Sequence, residues 1–187
     1  MLPDAVLSAA ADAADRLRAR GESVAVAEVS AGGLIAAALL AQDGASAYFR
    51  GGFVIYTLEG ADLQLGADAS PLARGRGATE PLARWLADAA RRRMGADWGI
   101  GETGASGPRP NPYGDPVGHS WVAASGPSGT TTENVLTGSG DRVRNMEAFA
   151  VRALELVGRG GPASVRGPAD KAGTASVHDR RHYDLPE

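Results

Sequence analysis

The chain has 187 residues with 19 basic against 22 acidic side chains, a net charge of -3, 43% hydrophobic residues and no cysteine. That balance describes a globular domain long enough to bury a sizeable core and excludes a wholly disordered chain. It also removes disulfides, thiolate metal sites and a catalytic thiol, and it offers no basic excess for nucleic acid or an anionic membrane.

Met1-Leu2-Pro3-Asp4 lacks the basic start of a signal peptide, and no apolar run approaches the roughly 20 residues of a membrane span. The expected location is the cytoplasm. The single lysine is Lys171, close to the end of the chain.

Residues 4–20 predict a helix with Val6, Ala10, Ala13 and Leu17 on one face, Asp4 near its start and Gly21 as its stop. Ser23–Glu28 forms a short apolar run of the kind buried in a sheet, and Gly32-Gly33 separates it from a helical stretch at Leu34–Ala41. Phe53–Tyr56 predicts a second strand, Pro81–Met94 a helix opened by Thr79 or Glu80, and Trp98–Gly101 a third strand ending in a glycine-rich turn. Trp121–Ala124 and Thr131–Leu136 predict two further strands, joined as a hairpin through Gly126-Pro127-Ser128-Gly129.

Asp141–Val157 predicts a closing helix with Met146, Phe149, Ala150, Ala153 and Leu156 on one side. Helices alternating with short apolar strands give an α/β fold, a three-layer α/β/α domain on a mixed central sheet. That domain spans residues 1–158. Residues 159–187 carry few large apolar side chains and repeated Gly, Pro, Ala and Ser, so they are expected to form a flexible tail.

Two glycine clusters stand where an open α/β sheet presents its ligand crevice. In the first, Ala27-Glu28-Val29-Ser30-Ala31-Gly32-Gly33, the glycines allow a ligand near the backbone and the free N–H groups at a helix start attract phosphate, carboxylate or an oxyanion. Ser30 adds a hydroxyl there. The plainer reading makes Ser30 a helix cap, with Gly32 and Gly33 serving close packing of helix on sheet.

The second cluster is Gly101-Glu102-Thr103-Gly104-Ala105-Ser106-Gly107-Pro108, followed by a polar loop and then Val117-Gly118-His119. Thr103 and Ser106 offer hydroxyls, Glu102 and Asp115 carboxylates, and His119 a proton carrier near neutral pH. The plainer reading, and the favoured one for a lone histidine, makes His119 a hydrogen-bonded strand residue. A Ser30, His119 and Asp115 triad can be written on paper, although triads are defined by geometry. Tyr56 is the one polar tip of its strand that could reach a ligand. No His and carboxylate cluster has metal-ligand spacing, so no metal or cofactor is expected.

Taken in order, Ala27-Glu28 with Gly32-Gly33, Gly44–Phe49 with Gly52–Tyr56, Thr103-Gly104 with Gly107-Pro108, Pro116–Gly118 and Gly140-Asp141-Arg142 resemble the C-terminal domain of the competence- and damage-inducible protein CinA. The resemblance runs from about Leu2 to Val157. It implies a single α/β/α domain, self-association in many members, and hydrolysis of the nicotinamide mononucleotide carboxamide to the carboxylate with release of ammonia. A small nucleotide is then the expected partner, met by Gly32, Gly33, Tyr56, Thr103, Gly104, Ser106, Gly107 and Arg142.

The chain departs from that family's signature A-E-S-C-T-G-G. Val29 stands where the serine falls, Ser30 where the cysteine falls and Ala31 where the threonine falls, while the family's usual lysine falls on Ala61. Amide hydrolysis needs a nucleophile, a proton acceptor and oxyanion donors. Three readings follow. Ser30 replaces the missing nucleophile with His119, Glu28 or Glu102 as base; or the pocket binds a pyridine nucleotide without turning it over; or the protein hydrolyses another amide or ester.

Overall fold

The computed structural model describes residues 1–66 and 77–159. The elements are α1 (Asp4–Arg20), β1 (Val24–Glu28), α2 (Leu34–Leu40), a 3-10 turn at Ala45–Ala47, β2 (Phe49–Val54), α3 (Leu58–Leu65), α4 (Glu80–Met94), β3 (Trp98–Ala105), β4 (His119–Gly126), β5 (Gly129–Leu136) and α5 (Arg142–Leu156). No helix among the described residues is long and apolar enough to cross a membrane. The expected tail, together with Lys171, lies outside the described residues apart from Arg159.

The five strands form one sheet in the order β2-β1-β3-β4-β5, with β1 parallel to β2 and β3 and the last three strands antiparallel. β1 and β3 are buried on both faces, which explains their unbroken apolar and glycine runs. One face packs Val24, Val26, Trp98 and Ile100 against α1, α2 and α5. The other packs Ala25 and Ala27 against α3 and α4 through Ala61, Leu82 and Leu86. This is the three-layer mixed arrangement that the alternation of elements predicts.

Glycine sets the closeness of that second layer. A Cβ on Gly99 would lie 1.9 Å from the carbonyl oxygen of Ala87, and one on Gly101 would lie 2.1 Å from that of Ala83. The backbone of α4 therefore rests directly on β3.

α1 begins at Asp4 and stops at Gly21, which takes the left-handed conformation at φ 60. The hairpin and the last helix also stand where the pattern places them, Gly126 pairing with Gly129 and Asp141 capping α5 through the N–H groups of Val143 and Arg144. β4 and β5 begin earlier than expected, at His119 and Gly129, and the larger differences lie elsewhere. β2 runs Phe49–Val54, not Phe53–Tyr56, because Phe49, Gly51 and Gly52 pair with β1, with Arg50 at a bulge, although the glycines offer little apolar surface. β3 continues through Glu102-Thr103-Gly104 to Ala105, so the expected turn after Gly101 begins only at Ser106. α3, capped by the Thr57 hydroxyl on the Gly60 N–H at 3.0 Å, has no counterpart among the expected elements.

Candidate functional site

The chain leaves β1 toward β2 on one side and returns from α4 into β3 on the other, so the carboxyl ends of β1 and β3 flank a topological switch point. A cleft of about 340 Å³ opens there, between the Val29-Ser30 end of β1, Tyr56 after β2, the Gly104–Pro112 segment and Arg142 at the start of α5.

The turn after β1 closes on two glycines at positive φ, Gly32 at 66 and Gly33 at 101, a conformation that side-chain-bearing residues rarely adopt. They turn the chain into α2, whose cap position is Gly33 and therefore lacks a capping side chain. Glu28 supplies the missing acceptors from within the sheet. Its carboxylate takes the N–H groups of Ile35 at 3.1 Å and Ala36 at 3.0 Å, satisfying free donors at the positive end of the helix. Burial pushes the Glu28 carboxyl above its usual range, and these backbone donors oppose the rise.

Glu102 is the register partner of Glu28 across the parallel β1/β3 pair, and both side chains are completely buried. Its Oε2 accepts from the N–H of Val29 at 3.1 Å and of Ala31 at 2.8 Å, while Ser120 Oγ lies 3.1 Å from Oε1. Burial pushes this carboxyl up to about 7, backbone donors pull against that, and the neighbouring Glu28 charge adds to it. Both carboxylates thus hold the loop that carries Ser30.

Ser30 lines the cleft, although it does not cap α2. Its hydroxyl donates to the Gly104 carbonyl at 2.6 Å and accepts from the Gly104 N–H at 2.9 Å. The side chain thereby extends the β1/β3 connection one step past the end of β1. A hydroxyl whose hydrogen is directed to a main-chain carbonyl has no proton acceptor of the kind a nucleophile uses.

His119 begins β4 behind the 106–118 loop. Its Nε2 lies 2.7 Å from Asn134 Nδ2 on β5, and its Nδ1 is buried 3.7 Å from Asp115 Oδ1, beyond hydrogen-bond reach and without a hydrogen-bond partner. With Ser30 on Gly104 and the Nε2 of His119 on Asn134, the three triad candidates are directed to separate partners. Asp115 instead ties the loop, accepting from Asn111 Nδ2 at 2.8 Å.

Among the expected ligand contacts, Tyr56, Gly104, Ser106, Gly107 and Arg142 all border the cleft. Tyr56 is 74% exposed. Arg142 Nη1 donates to the Gly107 carbonyl at 2.6 Å, which holds the base of the guanidinium against the cleft wall. Gly32 and Gly33 shape the turn and do not line the cleft, and Thr103 is buried on the opposite face of β3 from Glu102 and Gly104.

Two contributors escaped the sequence reading. Arg109 brings a second cation to the cleft. Asn145 is completely buried and its Nδ2 donates to Ser106 O and Ser139 O, both at 2.9 Å, so it locks the cleft loop to α5. Its position four residues before Phe149, on the apolar face of the helix, was the available signal.

The positions where the resemblance places a serine and a lysine are also telling. Ala61 is completely buried in the apolar cluster between α3, α4 and β1, and Val29 packs against that same cluster while bordering the cleft.

Comparison with known proteins agrees with this architecture. A CinA-like protein of Anaeromyxobacter dehalogenans strain 2CP-1 is 43% identical over 157 residues, covering 83% of this chain and 36% of that protein. One from Frankia casuarinae is 41% identical over 140 residues, covering 75% and 32% respectively. The chain therefore spans about a third of the length of the curated relatives it matches.

Among solved structures, the competence/damage inducible protein CihA of Agrobacterium tumefaciens superposes with a TM-score of 0.75 at 28% identity, covering 83% of this chain and 94% of that one. A CinA superfamily protein of Klebsiella pneumoniae 700603 gives 0.76 at 27%, covering 82% and 95%. The family model for the CinA C-terminal domain matches residues 7–160, which contain the whole sheet and every wall of the cleft, and the chain belongs to that family.

Proposed function

We propose that the cleft binds a phosphorylated pyridine nucleotide, with nicotinamide mononucleotide as the reference ligand, and does not hydrolyse its amide. The observation that carries this reading is the joint loss at Val29 and Ala61. The resemblance places a nucleophile and its proton-accepting lysine at these two positions, and here both belong to one apolar cluster. An apolar pair can neither attack a carboxamide nor take a proton.

Binding capacity has separate support. The cleft walls carry Arg109 and Arg142, whereas Glu28 and Glu102 lie buried behind them with their oxygens met by backbone N–H groups and the Ser120 hydroxyl. Exposed cations over glycine-rich backbone suit an anionic group such as phosphate. Tyr56 at the rim offers an aromatic face to a planar ring.

Calorimetric titration tests the reading by comparing nicotinamide mononucleotide with nicotinamide riboside, which lacks the phosphate. The expected result is saturable binding of the mononucleotide and at least about tenfold weaker binding of the riboside. Equal affinity for the two would remove the phosphate from the account. Ammonia release proportional to protein would replace binding with hydrolysis.

A further inference from the structure

The Glu28 and Glu102 side chains lie on the same face of neighbouring parallel strands, whose backbones run about 4.8 Å apart, and both are completely buried. Two carboxylates in that position cannot both ionise without a large electrostatic cost unless a cation joins them. Among the described residues no cation does so. α2 is Leu-Ile-Ala-Ala-Ala-Leu-Leu throughout, β4 presents Ser120, and α5 reaches this end of the sheet with Asn145, Met146 near Gly32 and Phe149 near Gly104. Arg142 is exposed and engaged with Gly107.

The hydrogen-bond pattern distinguishes the two carboxyls. Each oxygen of Glu28 accepts a separate N–H at the positive start of α2, which suits an ionised group. Glu102 differs, because both N–H donors converge on Oε2 and only Ser120 Oγ meets Oε1. Ser120 has one hydrogen, and its shortest acceptor is the Thr103 carbonyl at 2.9 Å, against 3.1 Å to Glu102 Oε1. With that hydrogen on Thr103, the contact between Ser120 Oγ and Oε1 is closed by a hydrogen belonging to Glu102.

We propose that Glu102 is a neutral carboxylic acid in the folded protein, sharing a single negative charge with Glu28, and that it acts as a proton-linked positioning residue for the Val29–Ala31 wall of the cleft. Its carbonyl oxygen holds Val29 and Ala31 on either side of Ser30, and its O–H donates to Ser120. The rise of this carboxyl to about 7 agrees with that assignment. Ionisation adds a second negative charge directly behind the wall. That charge destabilises the fold and repels an anionic ligand.

The direction with pH follows from linkage. The folded group holds its proton up to about 7, whereas an unfolded glutamate loses it near 4.5. Between those values the folded state binds more protons, so stability falls as pH rises through this window and levels off above it. Glutamine reproduces the neutral acid, with its oxygen toward Val29 and Ala31 and its amide N–H toward Ser120.

The test is the midpoint of thermal unfolding from about pH 5 to about pH 8 for the wild type and Glu102→Gln, beside a carbon-13 titration of the wild-type glutamate carboxyls. Expected are a wild-type Tm that falls by several degrees across the window, a flatter profile for Glu102→Gln, and a Glu102 carboxyl that titrates near neutrality. A Glu102 resonance titrating in the ordinary acidic range, or an unchanged slope in Glu102→Gln, would overturn the proposal. If Glu102→Gln does not fold, the wild-type titration decides alone.

Nicotinamide mononucleotide serves as the ligand probe, and this arm rests on the binding reading above. Its affinity is expected to weaken more steeply with pH in the wild type than in Glu102→Gln. Parallel affinity profiles in the two proteins would overturn the link to the cleft. Absence of binding at every pH alongside the predicted Tm profiles would instead reject the binding reading and leave the shared proton standing.

Discussion

Replacing Ser30 by alanine separates a tether from a nucleophile. The hydroxyl makes two hydrogen bonds, to the carbonyl and the N–H of Gly104, and Ser30 is buried except for a thin edge at the cleft. Removing it strands one donor and one acceptor of β3. A buried polar group left unpaired costs about 1–3 kcal/mol, and cleft water can reach this pair, so the total falls near the lower end, about 2 kcal/mol. For a domain of this size that is a loss of about 4–8 °C in Tm. Thermal unfolding followed by circular dichroism measures it. A Tm unchanged within about 1 °C would refute the tether and release the hydroxyl for chemistry.

Other substitutions probe the remaining parts. Gly101→Ala drives a methyl to 2.1 Å from the Ala83 carbonyl, so it is expected to cost more than about 4 kcal/mol and to reduce soluble expression, whereas Gly21→Ala, with open space around it, pays only for its left-handed backbone at φ 60. Asn145→Ala removes both donors from Ser106 and Ser139, for a loss of about 2–3 kcal/mol in chemical denaturation and faster proteolysis of the 106–118 loop. Arg142→Ala is expected to weaken nicotinamide mononucleotide about tenfold or more in calorimetry while leaving the affinity for nicotinamide riboside nearly unchanged.

The elements that the sequence made legible are those whose own residues decide them. α1 has an apolar stripe ending at Gly21, α4 a Thr79 cap position and three arginines in its last turn, and α5 an Asp141 cap, and each needs little from elsewhere in the chain. The misjudged segments depend on partners. Glu102-Thr103-Gly104 suggests a turn by composition, yet it continues β3 because β4 and the end of β1 pair with it. Gly51 and Gly52 form an edge strand because β1 supplies the ladder.

Candidate site residues divide in the same way. The two glycine clusters lie toward the carboxyl ends of β1 and β3, beside the switch point that follows from strand order, although β3 runs four residues further than expected. The direction of each side chain did not follow from type or spacing. Glu28 turns to the start of α2, Ser30 to Gly104 and the Nε2 of His119 to Asn134, and every one of those partners lies seven or more residues away along the chain.

The most direct test of the central claim is ammonia release from nicotinamide mononucleotide by the purified chain, measured beside calorimetric binding in the same buffer. The account predicts saturable binding with ammonia no higher than in protein-free controls, for the wild type and Ser30→Ala alike. Ammonia that rises in proportion to wild-type protein and disappears in a folded Ser30→Ala would contradict it, making Ser30 a working nucleophile.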